Sequence, residues 1–493
     1  MAASDASSSR PLSRARPPFQ YLPLRDDQSI RILTLEPGSG ANPLVGSLGT
    51  EQLGSRPEYE AISYVWGTGG RHSELVCDGA ALPLTQSIYD ALCRVRHATE
   101  TRRLWADQIC INQDDIPERS QQVKLMNAVY KNARRVLVWL GRDLDGVARD
   151  AVSMIHRLND VFGDEEAHRA FRVEHSENLA KQTKEPWIPI SKLTKLPWFH
   201  RIWIVQEIGT DAPAILYWGD AEVDWETLSS VAAVLNQNYH HLRSRFYIGT
   251  PNVRYLHKRF VEPDVEHYDQ YHNRGCFVYE LHRARHLLAQ DPRDHIYAFL
   301  GHFSLNTGGQ GLASLVADYS QPVEEVYMDV ARRALQGADS LIMLSANHNH
   351  PPSNKRRRPL PPLPLHPPTE WLANGAAYLL RSSPNPQDLD ISADLRALAH
   401  AGDPYQWTRE ATLVTRYRRF AVTARGYYVL GPDALQVGDV VVVLHGGRTP
   451  FILRRAEDGG PGWTLIGECY AHGLMNGEAL DLQGAVEDVF SIS

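Results

Sequence analysis

The sequence predicts an α/β protein: a parallel sheet with helices on both faces, followed by a smaller, largely antiparallel β portion. Three observations carry this. Apolar, strand-sized runs at Tyr59–Trp66, Arg103–Ile111 and Arg135–Leu140 are spaced by helical patterns, as parallel crossovers require. A proline-dense stretch at 346–368 (ANHNHPPSNKRRRPLPPLPLHPP) is incompatible with a helix or a central strand. Beyond Trp407 the pattern shortens to β segments separated by Gly-Pro and Gly-Gly turns.

Size and composition fit this class. The 493 residues call for two to four domains, and 43% hydrophobic with 22% charged residues is globular rather than disordered composition. The 51 Lys and Arg against 58 Asp and Glu leave a net charge of −7, which argues against a general nucleic-acid binder. Five scattered cysteines without a C-x-x-C pair exclude a disulfide framework or a structural zinc motif and fit a reducing compartment. No apolar run approaches the roughly 18 residues of a membrane helix. The N-terminus lacks the apolar centre of a signal peptide, so residues 1–19 are expected to be a disordered arm and the protein cytoplasmic.

Along the chain, Ile30–Leu35 alternates apolar and polar residues and reads as a strand, and the Gly- and Ser-rich 38–57 as loop. Tyr59–Trp66 is a second strand, stopped by glycines. Thr85 is placed to cap a helix reaching about His97. Arg103–Ile111 is apolar enough for a central strand. Glu118–Ala133 holds the helical period through Val123, Met126, Val129 and Tyr130, and Arg135–Leu140 is a further strand. A helix is expected over Val147–Leu158, and loop with helical pieces over Phe162–Glu185. Trp198–Ile208 satisfies strand alternation and a helix stripe equally. Ala214–Trp218 reads as strand, Trp225–Leu235 as helix, 240–300 as mostly helical and 322–336 as helix. The expected organisation is an α/β region over 20–300, a helical segment at 301–345, the connector at 346–368 and a β-rich region at 369–493.

Several chemistries are absent as motifs: no Walker-type phosphate loop, no G-x-G-x-x-G, no H-E-x-x-H and no G-x-S-x-G. The histidine clusters carry no metal-ligand spacing, and no metal is expected. What remains are polar and aromatic residues at strand ends, where open parallel sheets bind ligands: Ser63, Tyr64, Trp66 and Gly67, then Asp107, Asn112 and Gln113, then Arg142 and Asp143. Trp203 and Glu207, four residues apart, share a face if their segment is helical. The alternative is structural: tryptophans as core packing and Asp107 as a cap. Arg358–Pro364 (RPLPPLP) matches an SH3-type ligand, with a plain linker as the favoured reading.

YEAISYVWG at 59–67, LWADQICINQDDIPERSQQVKLMNAVYKNARRVLVWLG at 104–141 and WFHRIWIVQEI at 198–208 closely resemble, in order and spacing, the fungal heterokaryon incompatibility (HET) domain. DPRDHIYAFLG at 291–301, ADYS at 317–320 and the stretch 438–480 resemble flanking parts of such proteins. Ala106 stands where the family pattern has isoleucine, leaving Asp107 in place. The resemblance covers most of the chain, with 59–208 as the HET domain itself. It implies a cell-death effector of the self/non-self recognition or innate-immunity type. HET domains are distantly similar to TIR domains, which have flavodoxin-like folds. That similarity sets Glu207 where NAD-cleaving TIR domains carry their catalytic glutamate, within W-x-x-x-E. It implies a substrate-binding set of Ser63, Tyr64, Trp66, Gly67, Asp107 and Trp203, with NAD as substrate and no separate cofactor. The resemblance equally allows a non-enzymatic module that signals by forming a homo-oligomer or by engaging an unknown protein partner; neither membrane nor nucleic acid is expected as a partner.

Overall fold

The computed structural model describes residues 16–336 and 418–492, except 41, 68, 178–184, 264–274, 308–309, 446, 448, 457–461, 476–477 and 482–487; between the two spans, five isolated positions are described. The proline-rich connector, with Arg358–Pro364, lies outside the described residues.

Among the described residues, nine strands form one sheet in the order β5-β4-β2-β1-β6-β3-β7-β8-β9. They are β1 (Ser29–Leu35), β2 (Leu44–Gln52), β3 (Glu60–Tyr64), β4 (Ser73–Cys77), β5 (Ala80–Leu84), β6 (Arg102–Trp105), β7 (Val136–Gly141), β8 (Ala214–Trp218) and β9 (Ala221–Asp224). The expected parallel pairing is present: β3 runs parallel to β6 on one side and to β7 on the other, and β7 parallel to β8. The whole sheet, however, is mixed. β1 is antiparallel to both β2 and β6, and the β4–β5 and β8–β9 hairpins are antiparallel. β7 is buried along almost its full length, as a strand covered on both faces must be, and so reads as a continuous apolar run.

The helices of this region are α1 (Gln86–Val95), α2 (Asp107–Cys110), α3 (Ile116–Asn132), α4 (Ala148–Gly163), α5 (Glu165–Glu177), α6 (Ile188–Leu193), α7 (Ile204–Ile208) and α8 (Trp225–Asn238). They continue with α9 (His240–Phe246), α10 (Thr250–Leu256), α11 (Phe277–Ala284), α12 (Asp294–Tyr297), α13 (Ser304–Thr307), α14 (Gln310–Ala313) and α15 (Val323–Leu335). α1 buries Ile88, Ala91, Leu92 and Val95, the stripe its sequence period dictates. Asp115 caps α3 by accepting from the Glu118 amide, and Pro117 sits where the first helical turn needs no amide donor. One apolar core joins residues from Ile30 to Val330.

Two local expectations are corrected, and two that were open are resolved. The stretch 38–57 is not all loop, since β2 occupies Leu44–Gln52. Gly46 belongs there because a β-carbon at that position would lie 2.7 Å from the Thr34 carbonyl oxygen of β1; glycine marks close strand approach, not a break. The strand expected over 103–111 ends at Trp105, and Asp107 starts α2. The polar stretch after Phe162 holds a continuous helix, α5. Trp198–Ile208 resolves into a 3-10 turn (Pro197–His200) followed by α7.

Toward the C-terminus, β10 (Arg418–Val422), β11 (Tyr428–Pro432) and β15 (Tyr470–Ala471) form one antiparallel sheet. β12 (Val440–Val442), β13 (Phe451–Arg455) and β14 (Trp463–Glu468) form a second. Each sheet contributes to a small core, one around Val429 and Ile452 and one around Phe451 and Leu453.

Candidate functional site

Parallel pairing of β3 with β6 sets their carboxyl ends side by side, with Ala61 opposite Trp105. Ser63, Tyr64 and Trp66 therefore emerge beside Asp107, the first residue of α2. Tyr64 Oη donates to Asp107 Oδ1 at 2.9 Å, and Trp66 Nε1 donates to Asp107 Oδ2 at 2.8 Å. The Gln108 amide adds a third bond at 2.7 Å, and Gln113 Nε2 donates to the Asp107 carbonyl at 2.8 Å. Three donors on one carboxylate hold it in a single orientation.

Alternation along β3 sends Ser63 to the opposite side from Tyr64. Its hydroxyl donates to Glu207 Oε2 on α7 and accepts from Trp198 Nε1 at 2.7 Å. Glu207 is 1% exposed. Both of its oxygens are also engaged by Arg201, at 3.1 Å and 3.2 Å, a two-pronged pairing that fits the planar guanidinium.

Burial dominates the electrostatics. Loss of solvent raises Glu207 above the ordinary carboxylate range, although the Arg201 guanidinium and the Ser63 hydroxyl pull it back. Asp107 is raised for the same first reason, with Arg201 again the main opposing charge. Arg201 is itself raised, because the attraction of Glu207 and Asp107 outweighs its own burial. Two carboxylates thus share one guanidinium, and the cluster carries an excess of one negative charge when both are ionised.

Of the residues singled out in the sequence, Ser63, Tyr64, Trp66, Asp107 and Glu207 converge here, and Gln113 joins them. Gly67 lies at the exposed rim with φ +77°, a conformation that favours glycine. Trp203 hydrogen-bonds elsewhere: its Nε1 donates to Asp294 Oδ2 at 3.0 Å, in a second cluster where Tyr319 Oη meets Asp294 Oδ1 at 2.8 Å. Trp203 is the cap residue of the short α7, in helical conformation, and the Glu207 amide donates to its carbonyl at 3.4 Å, while its indole is committed to Asp294. Arg142 and Asp143 stand at the end of β7 and line a different cleft of about 730 Å³ with Asp90, Arg94 and Trp139. There Arg142 grips Asp90 at 2.6 Å and 2.7 Å, and Asp143 caps the start of α4.

Arg201 and Trp198 escaped the sequence reading. Both lie in the WFHRIWIVQEI block, but apolar periodicity gives a buried arginine no mark. The available signal was chemical: an acidic residue in so apolar a block needs a cation, and Arg201 is its basic neighbour there. Among the described residues, no group of three His, Cys, Asp or Glu is placed to hold a metal ion, and no helix is long and apolar enough to cross a membrane.

An α/β sheet carrying a buried acid–arginine cluster at its strand ends, with an antiparallel β region following it in sequence, defines a two-part class of chain. Residues 59–207 match the family described as Heterokaryon incompatibility protein (HET), and residues 388–492 match the Het-6 beta-barrel domain. The chain thus carries a HET domain followed by a region matching the Het-6 beta-barrel domain. It is 28% identical over 356 residues to Heterokaryon incompatibility protein 6, OR allele, of Neurospora crassa. That alignment covers 62% of this chain and 52% of the relative, so the chain spans about half the length of the curated protein it matches. No solved structure matches the chain.

Proposed function

We propose that the protein acts in incompatibility-type cell death, with its HET domain working as a signalling module whose strand-end cluster is closed in this conformation. The observation that carries this is the state of Glu207: it is 1% exposed and bound by Arg201 and Ser63. A carboxylate so enclosed holds α7 to β3 rather than meeting a substrate. The HET match and the Neurospora relative named for incompatibility support the biological setting.

A second reading, NAD hydrolysis by a TIR-like mechanism, has its own support. The cluster pairs two carboxylates with one guanidinium beside Tyr64 and Trp66, and an excess negative charge among aromatic rings suits a cationic leaving group such as nicotinamide. On this reading Glu207 stabilises positive charge developing on the ribose, but only after Arg201 has moved away.

One comparison separates the two. Purified wild type and Glu207→Gln are incubated with NAD, free nicotinamide is measured, and both are expressed in a fungal host to score death. The signalling reading expects no nicotinamide from either protein and killing by the wild type. Glu207→Gln should also be less stable, because it leaves the largely buried Arg201 with only the Asp107 charge to oppose it; breaking a buried pair costs up to about 3–5 kcal/mol. Nicotinamide release by the wild type, reduced about 10²–10³-fold in a folded Glu207→Gln, would establish the enzymatic reading instead.

A further inference from the structure

The parallel strands of the sheet stand in the order β6-β3-β7-β8, whereas the chain forms β3 first, then β6, β7 and β8. It leaves β3 in one direction across the sheet and β7 in the other. The carboxyl ends of β3 and β7 therefore flank a switch point, the place where open α/β sheets hold ligands. The helices that follow the two strands are α1, beyond the β4–β5 hairpin, and α4. The cleft of about 730 Å³ opens between them, lined by Asp90 and Arg94 of α1, by Arg142 and Asp143 after β7, and by Arg149 of α4. Its size is that of a small-molecule pocket rather than of a single ion. Trp139 lines it as well; in β7 it stands level with Tyr64 of β3 and Tyr217 of β8.

Most of the acidic groups here are already engaged. Asp90 accepts from Arg142 at 2.6 Å and 2.7 Å and from Gln86 Nε2 at 2.7 Å. Asp143 accepts from the Val147 and Ala148 amides at 3.0 Å and 2.8 Å. Asp220, exposed on the β8–β9 turn, is the acid that remains. The donors are in surplus. Arg149, exposed in the first turn of α4, makes no hydrogen bond or ion pair among the described residues. Arg142 spends Nε and Nη2 on Asp90 and keeps Nη1. Arg94 spends Nε and Nη2 on the Gly219 and Asp220 carbonyls and on Glu222, and likewise keeps Nη1. Trp139 is 6% exposed, yet its indole N–H has no partner among the described residues, and its unburied edge lines the cleft. A donor so nearly buried is costly to leave unpaired unless a ligand or water meets it.

We infer that this cleft is a ligand site distinct from the Glu207 cluster and takes a small phosphate ester, with Arg149 and the Trp139 indole donating to the phosphate. Guanidinium groups favour phosphate because its several oxygens accept from more than one donor at once. The room beyond one phosphate is for the organic part of the ester. The site holds whether or not Glu207 cleaves NAD, since none of its residues belongs to that cluster.

Isothermal titration calorimetry on the full chain tests this with three probes: AMP, inorganic phosphate and adenosine. AMP and inorganic phosphate should bind, AMP the more tightly, and adenosine should not. Arg149→Gln removes an exposed side chain that holds nothing in place, so the fold is kept. It should weaken AMP roughly tenfold or more, the effect of losing a charge-assisted hydrogen bond. Arg149→Lys, which keeps the charge, should lose less. Trp139→Phe keeps a ring, deletes the indole donor, and should weaken AMP in the same direction. Absence of binding by AMP and inorganic phosphate at about 10 mM would overturn the site. So would adenosine binding as tightly as AMP, or an AMP affinity left unchanged by either Arg149→Gln or Trp139→Phe. Weakening by Tyr64→Phe in place of Arg149→Gln would put the ligand at the Asp107 cluster and overturn the cleft as its site.

Discussion

Asp294 is a carboxylate whose environment departs from what its sequence position suggests. Burial pushes its carboxyl up to about 6, with Tyr319 and Trp203 pulling it down and Asp291 pushing further upward. Its unfolded value is near 3.8. Between these values the folded chain binds more protons than the unfolded one, so stability falls as pH rises. The contribution is complete below the unfolded value and is lost as pH passes through about 6. Urea unfolding of wild type and Asp294→Asn at pH 5 and pH 7.5 should show the wild type losing roughly 1–2 kcal/mol more than the variant over that interval. Nothing in the apolar pattern around DPRDHIYAFLG announces a perturbed acid. Its state comes from burial among residues distant in sequence, which the bonds from Trp203 and Tyr319 only partly offset. Ser63, Tyr64, Trp66 and Asp107, by contrast, were readable as a group, because adjacent parallel strands bring their carboxyl ends together whatever the rest of the chain does.

At the scale of elements, β1 and β2 depend on a missing side chain. With a β-carbon at position 46 set 2.7 Å from the Thr34 carbonyl and 2.9 Å from a Leu33 methyl, Gly46→Ala must push the two strands apart. Overpacking of this kind typically costs about 1–3 kcal/mol, which denaturant unfolding would measure. Glycine is also why this pair was hard to read: Gly46 and Gly49 look like turn signals until the partner strand is known. Helices with a strong apolar stripe, such as α1 and α4, were legible because period alone specifies them. The β4–β5 hairpin, the four-residue β9 and the five-residue α7 were not, although β8 was. Short elements carry too few repeats for a period, and their existence is decided by the strands and helices they pack on.

For the whole molecule, the buried apolar side chains of the HET-bearing region and of the C-terminal sheets fall into different clusters among the described residues: one joining Ile30 to Val330 and a small one at Cys276, Val278 and Ala334, against two drawn from 429 onward. The composition of 346–368 predicts cleavage there first under limited trypsin, Lys355–Arg358 being the preferred target. The expected outcome, read by mass spectrometry, is two fragments that resist further digestion; early cuts within β3, β7 or β8 would contradict it.

The order of partners along the chain has a consequence for synthesis. Ser63 waits 144 residues for Glu207, and Trp203 a further 91 for Asp294. At about 5–20 residues per second, the first interval lasts roughly 7–30 seconds and the second about 5–18 seconds. During the first, Ser63 and its neighbours on β3 are without α7; during the second, α7 exists but its cap residue Trp203 is without Asp294. A nascent chain therefore passes through a partly bonded form before the complete one can exist, and molecules stalled or truncated ahead of residue 294 would remain in it. Whatever the cluster does when open, it has its first opportunity on the ribosome.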